Sequence, residues 1–320
     1  MKRILIAIAA GTAAILLVGL AGAATGHRDL LLILLRGSLG SQFAIEGTLL
    51  KTVPLLLTGS SVALAFRAGV WNIGGEGQFI AGALAAFIAS PFGVIAALLA
   101  AMLAGALWAS IASLMRLWRN APEVLTTILL NFIALHLLGW CVNGPLQEPN
   151  GQYPQSDTAR AALPSIASTE LHAGIVLAVV AAIAAWFLLY RTAEGLRLRA
   201  TGLNPHAARN AGVNVPAQIV RAMALSGATA GLGGGIELLG VTHRLFEGFA
   251  SGYGYSGIAV ALLAGLHPLA TIASSTFFGA LVTGAGELQR SANISAQVAT
   301  LGQALVILAL ALFGRYRAHD

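Results

Sequence analysis

A chain of 320 residues with 57% hydrophobic and 9% charged residues, against about 25% charged in a soluble domain, does not have water as its main solvent. Its net charge of +6 does not signal nucleic acid, because the basic residues stand singly between apolar windows, where topology signals stand. A single cysteine, Cys141, excludes an intrachain disulfide and a cysteine-rich metal site, and the seven histidines form no HxxxH or HExxH pair, so no metal or other cofactor is expected.

In chain order, Met1-Lys2-Arg3 precedes a charge-free run over residues 4–26. The run exceeds the roughly 7–15 apolar residues of a signal peptide and reads as an uncleaved first helix. Windows between charged residues then cover 52–66, 77–115 and 124–147, of 15, 39 and 24 residues. The second half repeats those lengths in the same order over residues 222–236, 248–286 and 291–314. A 39-residue helix would be about 58 Å long, twice the apolar thickness of a bilayer. Each long window must therefore hold two spans, divided at Ser90-Pro91-Phe92-Gly93 and at His267-Pro268, where proline breaks the helix.

Each half thus holds four crossings. The first helix and the run at residues 171–190 bring the total to ten, in one membrane domain over residues 1–320 with both termini on one side. Of the 18 lysines and arginines, twelve fall on that side, which the positive-inside tendency makes cytoplasmic. The fold class expected is all-α integral membrane, in two halves of inverted topology, as in transporters. Residues 143–170, rich in Pro, Gly, Gln and Ser, form the one sizeable outer loop.

The short windows lead into glycine-rich, polar sequence in both halves: Arg67-Ala-Gly-Val-Trp-Asn-Ile-Gly-Gly-Glu-Gly-Gln78 in the first, Gly227-Ala-Thr-Ala-Gly231-Leu-Gly-Gly-Gly235-Ile-Glu237 in the second. An irregular backbone at membrane depth survives only inside protein or beside a cavity. Asn72, Glu76, Gln78 and Glu237 are polar groups in or near these spans. Either they line or gate a pathway, or they cap helices or sit at the water interface. Asn131 reads as an interhelical hydrogen-bonding residue. Gly227, Gly231 and Gly235, four apart, mark a helix face for close packing, which becomes part of the pathway if that helix moves against its neighbour.

Residues 191–221 are too polar to span and carry five arginines. Within them, Gly202 to Gly212 has the punctuation of a short helix: Asn204 as N-cap, Pro205 at the first helical position and Gly212 at the end. Ala207, Ala208 and Ala211 give it a small-residue face for a partner's cleft, with Arg209 able to meet an acidic rim. The other reading is an interfacial helix in a positive cytoplasmic loop. No GxxxxGK[ST] phosphate loop is present, so ATP, if used, is hydrolysed on another chain.

These segments resemble the permeases of bacterial ABC importers of the branched-chain amino acid/ribose type, closest to the nucleoside and simple-sugar branch. The resemblance is carried by residues 66–78, by Ala121-Pro-Glu-Val-Leu-Thr-Thr-Ile-Leu-Leu-Asn-Phe132, by Gly144-Pro-Leu, and by residues 198–212. It implies a cytoplasmic ATPase, a second and commonly different permease subunit, an extracytoplasmic solute-binding lipoprotein, and a bacterial inner-membrane location among lipid. It also implies that Gly202 to Gly212 couples to the ATPase, and that the solute is a nucleoside or simple sugar. Two other classes remain: an ion-coupled secondary transporter, for which Glu76 with Glu237 is the candidate pair, and an integral-membrane enzyme, for which no nucleophile, base or metal constellation is visible.

Overall fold

The computed structural model describes residues 29–149, 151–166 and 169–292, with residues 297 and 304. The first helix expected at residues 4–26 and most of the last window lie outside the described residues. Among the described residues every regular element is helical, with isolated β-bridges alone in the loops.

The helices are α1 (Leu30–Leu39), α2 (Gln42–Arg67), α3 (Gly75–Ala89), α4 (Val94–Arg119), α5 (Glu123–Val142), α6 (Gly174–Arg191), α7 (Ala193–Leu203), α8 (Pro205–Asn210), α9 (Val215–Glu237), α10 (Tyr253–Leu263) and α11 (Ala270–Ala292). Among the described residues, five helices are long and apolar enough to cross a membrane: α2, α4, α5, α6, and α9 with its π-helical extension over Leu238–Thr242. Both long windows divide where proline and glycine stand. Gly93 takes φ 97° after the 3-10 turn Ser90–Phe92, and the second break runs through Gly265 and Leu266, both at positive φ. α1 was not foreseen. Its Gly37 and Leu34 pack directly on Glu287 and Gly284 of α11.

Two of the spanning helices turn inward-facing stripes to the protein and apolar stripes outward. On α4 the exposed side carries Ile95, Leu99, Leu103 and Leu107, and on α6 it carries Val176, Val180, Ile183 and Phe187. α2 and α9 are mostly buried between the others. In lipid, apolar burial gives no driving force between helices, so close backbone packing must supply the attraction. The α9 glycines do so. A Cβ on Gly231 would overlap the Ala101 carbonyl and stand 3.0 Å from the Gly105 Cα of α4, and one on Gly235 would lie 2.8 Å from the Ala101 methyl. Gly82 of α3 in turn presses on the Gly231 backbone, so three helices share one contact.

α3 and α10 are short, and the chain reaches each through irregular backbone: residues 68–74 before α3 and 243–252 before α10. Their N-termini meet. A Cβ on Gly75 would be 3.3 Å from the Gly254 Cα, and one on Gly254 would be 2.5 Å from the Glu76 Cα. The loop between α5 and α6 is stitched to the segment preceding α10 by Ser156 N donating to Leu245 O, Ala159 N to His243 O and an Arg244–Glu148 ion pair, and to the π-helical extension of α9 by Leu163 N donating to Leu239 O, each at 2.8 Å.

Gly231→Leu is expected to destabilise the fold by at least about 1–3 kcal/mol, the usual cost of overpacking, because its neighbours are backbone that cannot rotate away. Thermal unfolding in detergent checks this; a melting temperature equal to wild type would show that α9 and α4 separate at no cost.

Candidate functional site

The centre of the molecule is built around Glu76, which is 3% exposed. Its Oε1 accepts from Gly252 N at 2.9 Å and its Oε2 from Gly254 N at 2.7 Å. These amides open α10, whose N-cap, Gly252, takes φ 80° and presents its N–H inward. Helix N-termini carry unpaired N–H groups and partial positive charge. With the first turn of α3 alongside, one carboxylate meets two such ends. Of the two readings from sequence, the geometry gives Glu76 the cap, made on a distant helix rather than its own.

Beside it lies a closed amide network. Asn72 and Gln78 pair side chain to side chain, Asn72 Nδ2 to Gln78 Oε1 at 3.0 Å and Gln78 Nε2 to Asn72 Oδ1 at 2.9 Å. Asn72 also donates to Ser226 Oγ of α9 at 2.8 Å, and that hydroxyl donates to Ser61 O of α2 at 2.8 Å. All four residues are buried, so each donor must find an acceptor within the protein. Asn131 of α5 joins the same centre, accepting from Gly77 N at 2.8 Å and donating to Ile73 O at 3.0 Å and Tyr255 Oη at 3.2 Å. Ser61 and Ser226 were missed from sequence. They sit in the two matched short windows, which was the available signal.

Glu237, at the end of α9, is also buried. Lys51 of α2 is the cation within its electrostatic reach, and Lys51 Nζ donates to Tyr253 Oη at 2.8 Å. Asn72, Glu76, Gln78, Gly231 and Glu237 therefore all lie inside the protein, one layer behind its exposed surfaces.

The polar segment between α6 and α9 forms α7 and α8. Asn204 Oδ1 accepts from His206 N and Ala207 N, both at 3.0 Å, Pro205 occupies the first turn, and Gly212 follows at φ 81°. The expected cap is thus formed. Of the face expected to dock, Ala207, Arg209 and Ala211 are exposed, but Ala208 is 4% exposed and packs inward with Val215 and Ile219; Leu203, 88% exposed, and His206 also face outward. A six-residue helix has one inward stripe, and Ala208 falls on it. Gly202 presses on the backbone of Arg67 to Gly69 at the end of α2. Glu194 of α7 ties the segment to α9, accepting from Gln218 Nε2 at 2.9 Å and from Arg221, and to Arg197 at 3.1 Å.

Two outcomes follow from these contacts. Glu76→Gln keeps one acceptor but points an NH2 group at a backbone N–H, which costs about 1–3 kcal/mol for the unmatched group. Its melting temperature in detergent is expected to fall below that of wild type, and an unchanged value would remove the clamp from this account. For Glu194, the Gln218 hydrogen bond first, then those of Arg221 and Arg197, hold the carboxyl below its ordinary value of 4.5. A depressed carboxylate stabilises the fold fully above its unfolded value and loses that contribution as pH falls through the folded one. The stability difference between wild type and Glu194→Gln is therefore expected at pH 7 and expected to vanish well below pH 4.5. A difference independent of pH would refute the ionic basis of this anchor.

The sequence matches the family model described as branched-chain amino acid transport system / permease component over residues 44–313. It is 34% identical to the guanosine ABC transporter permease protein NupP of Bacillus subtilis, over 96% of this chain and 91% of the relative. It is 35% identical to the glucose ABC transporter permease protein TsgB13 of Haloferax volcanii, over 88% and 80%. A second guanosine permease protein of Bacillus subtilis, NupQ, matches at 29%, over 73% of this chain and 79% of the relative. The matched span contains the Glu76 clamp, the Asn72 network and the α7–α8 segment, and it decides among the three classes left open by the sequence. The chain belongs to the branched-chain amino acid transport system permease family and is a multi-pass membrane permease subunit of an ABC importer.

Proposed function

We propose that this permease moves a nucleoside or simple sugar across the bacterial inner membrane, energised by a separate cytoplasmic ATPase and fed by an extracytoplasmic solute-binding lipoprotein. The solute class rests on the guanosine and glucose relatives. That two guanosine permease proteins of one bacterium both resemble the chain supports a second, different permease as its partner. The chain is one polytopic domain of ten crossings in two inverted halves, with both termini in the cytoplasm. α2, α3 and α4 correspond in order to α9, α10 and α11, and in each half a short helix follows irregular backbone. This is the arrangement that places a pathway near the bilayer midplane. Asn72, Glu76, Gln78, Gly231 and Glu237 hold the wall of that pathway and set the packing through which it opens.

The observation that carries the coupling role is the capped α8 with the exposed Leu203 beside it, backed by Gly202 on the end of α2. Leu203, 88% exposed at the end of a helix that also exposes Leu196 among its charged residues, is suited to be the apolar anchor of an interface. Gly202, Asn204, Pro205, Arg209 and Gly212 shape and cap this element; Ala208 seats it on the membrane domain.

In proteoliposomes holding this chain, its partner permease, the ATPase and the binding protein, omitting the ATPase is expected to abolish accumulation. Leu203→Asp is expected to lower ATP-coupled uptake and retention of the ATPase by about tenfold or more, which corresponds to 1.4 kcal/mol or more of lost docking. The affinity of the binding protein for solute should not change. Undiminished accumulation without the ATPase would sink the proposal, and a Leu203→Asp complex with full uptake would remove α7–α8 from the coupling.

A further inference from the structure

α4 and α6 each expose an apolar stripe, whereas the exposed side of α5 toward its C-terminal end mixes Ile133 and Leu137 with a histidine. That side carries His136 and Trp140. Along α5, Asn131, Leu135, Gly139 and Asn143 stand four apart on one face, over about 18 Å of helix. The non-helical segment that leads into α10 runs along that face. At the outer end, Glu247 Oε1 accepts from Asn143 Nδ2 at 2.8 Å. Toward the centre, Tyr255 Oη meets Asn131 Nδ2 at 3.2 Å. Between them Gly248, Ser251 and Tyr255 are exposed, and Gly248 and Gly252 border open space, with no atom near their missing Cβ positions. A cavity of about 360 Å³ opens between Leu135, His136, Gly139 and Trp140 on one side and Glu247 and Gly248 on the other.

Backbone without helical bonding does not face lipid at this depth; it lines water or is covered by protein. Ionisable groups at membrane depth face an interior or an aqueous cavity for the same reason. Residues 248–252 meet the first condition and His136, within α5, the second, on one open groove with Glu247 at its outer end. We infer that the groove between α5 and residues 247–255 is the outer section of the solute path, its remaining wall supplied by the second permease, and that His136, Glu247, Ser251 and Tyr255 contact the solute there. This deepens the transport reading above and rests on it.

The chemistry of the groove selects a class. Glu247 accepts hydrogen bonds, His136 and the two hydroxyls donate and accept, and the Trp140 and Tyr255 rings offer flat faces. That set fits an uncharged ring bearing hydroxyl groups, whether a sugar or the ribosyl part of a nucleoside. Arg244, the nearest cation in sequence, is already paired with Glu148, while Glu247 repels phosphate, so phosphorylated forms are disfavoured.

The test uses the full transporter carrying Cys141→Ala, with single substitutions His136→Cys, Ser251→Cys and, on the lipid-facing stripe of α6, Val180→Cys. A membrane-impermeant, thiol-reactive cation is added from the outside. Positions 136 and 251 are expected to react about tenfold or more faster than position 180, as water-lining sites do relative to lipid-facing ones. The uptake that each cysteine variant retains after losing its native solute contact is expected to be blocked by modification, and Glu247→Gln, without reagent, is expected to lower uptake of the unphosphorylated solute. If both positions react no faster than position 180, the groove is covered by lipid or by dry contact with the partner and the inference fails. If they react and uptake persists, the groove is wet but not on the path, and it fails equally. ATP dependence of uptake by the Cys141→Ala complex is measured first; its absence overturns the importer reading, whereas the relative labelling rates judge the groove independently.

Discussion

The carboxylate of Glu76 is the interaction on which the centre of this permease depends. Two short helices, α3 and α10, bring their N-termini to within van der Waals contact, and each N-terminus carries unpaired N–H groups and partial positive charge. In water such ends are hydrated. Here they are buried, and the cost of leaving the amides unpaired would exceed what packing alone returns. One acidic side chain on α3, accepting from Gly252 and Gly254 of α10, satisfies the amides and offsets the charge together. The glycines at 75, 252 and 254 are required for the same reason, since a Cβ at 75 or 254 would hold the two backbones apart and Gly252 takes a left-handed conformation.

Around that point the protein replaces apolar driving force with proximity. α9 meets α4 and α3 through Gly227, Gly231 and Gly82 against Gly105 and neighbouring carbonyls, while the polar side chains of Asn72, Gln78, Ser61 and Ser226 bond only to one another and to backbone. Dispersion between closely apposed backbones and satisfied hydrogen bonds hold helices together where lipid competes for every apolar surface. The same design leaves the outer sides of α4 and α6 free to be purely apolar.

Much of the architecture was legible because bilayer thickness dictates the length of an apolar run. The paired windows of 39 residues had to fold back, and proline and glycine showed where. α1 escaped notice because Arg36 shortens its apolar run to a length no bilayer rule marks as a span. The centre was half legible. Glu76 stood out as a carboxylate in a glycine-rich break, but its acceptor role needed amides 176 and 178 residues away, which no local pattern announces. Ala208 failed differently. Its small size was read as a docking face, yet alanine suits a close contact inside the fold as well as one outside it, and only the rotation of α8 about its axis separates the two. The exposure of Ala207 and Arg209 beside the buried Ala208 shows which side of α8 faces away from the rest of the protein.

The segment α7–α8 and the central clamp are joined by contacts that leave little room for slack. Gly202 lies on the backbone of Arg67 to Gly69, and Arg67 itself donates to the carbonyls of Leu266 and Gly265 at 2.9 and 2.8 Å, in the turn that ends α10. The chain leaving Gly69 becomes, within three residues, the Asn72 that bonds Gln78 of α3 and Ser226 of α9. At Gly202 the contact is backbone against backbone, whereas the onward link to α10 runs through the Arg67 side chain. If the segment couples as proposed, displacement at Gly202 reaches both the far end of α10 and the network at the start of α3, the two helices that Glu76 holds tip to tip. A contiguous path is not by itself coupling; an element with two arrangements is also needed. The pair of short helices, joined at their tips by Glu76 and each entered through irregular backbone, is the candidate for that element, provided the second arrangement keeps the Gly252 and Gly254 amides paired.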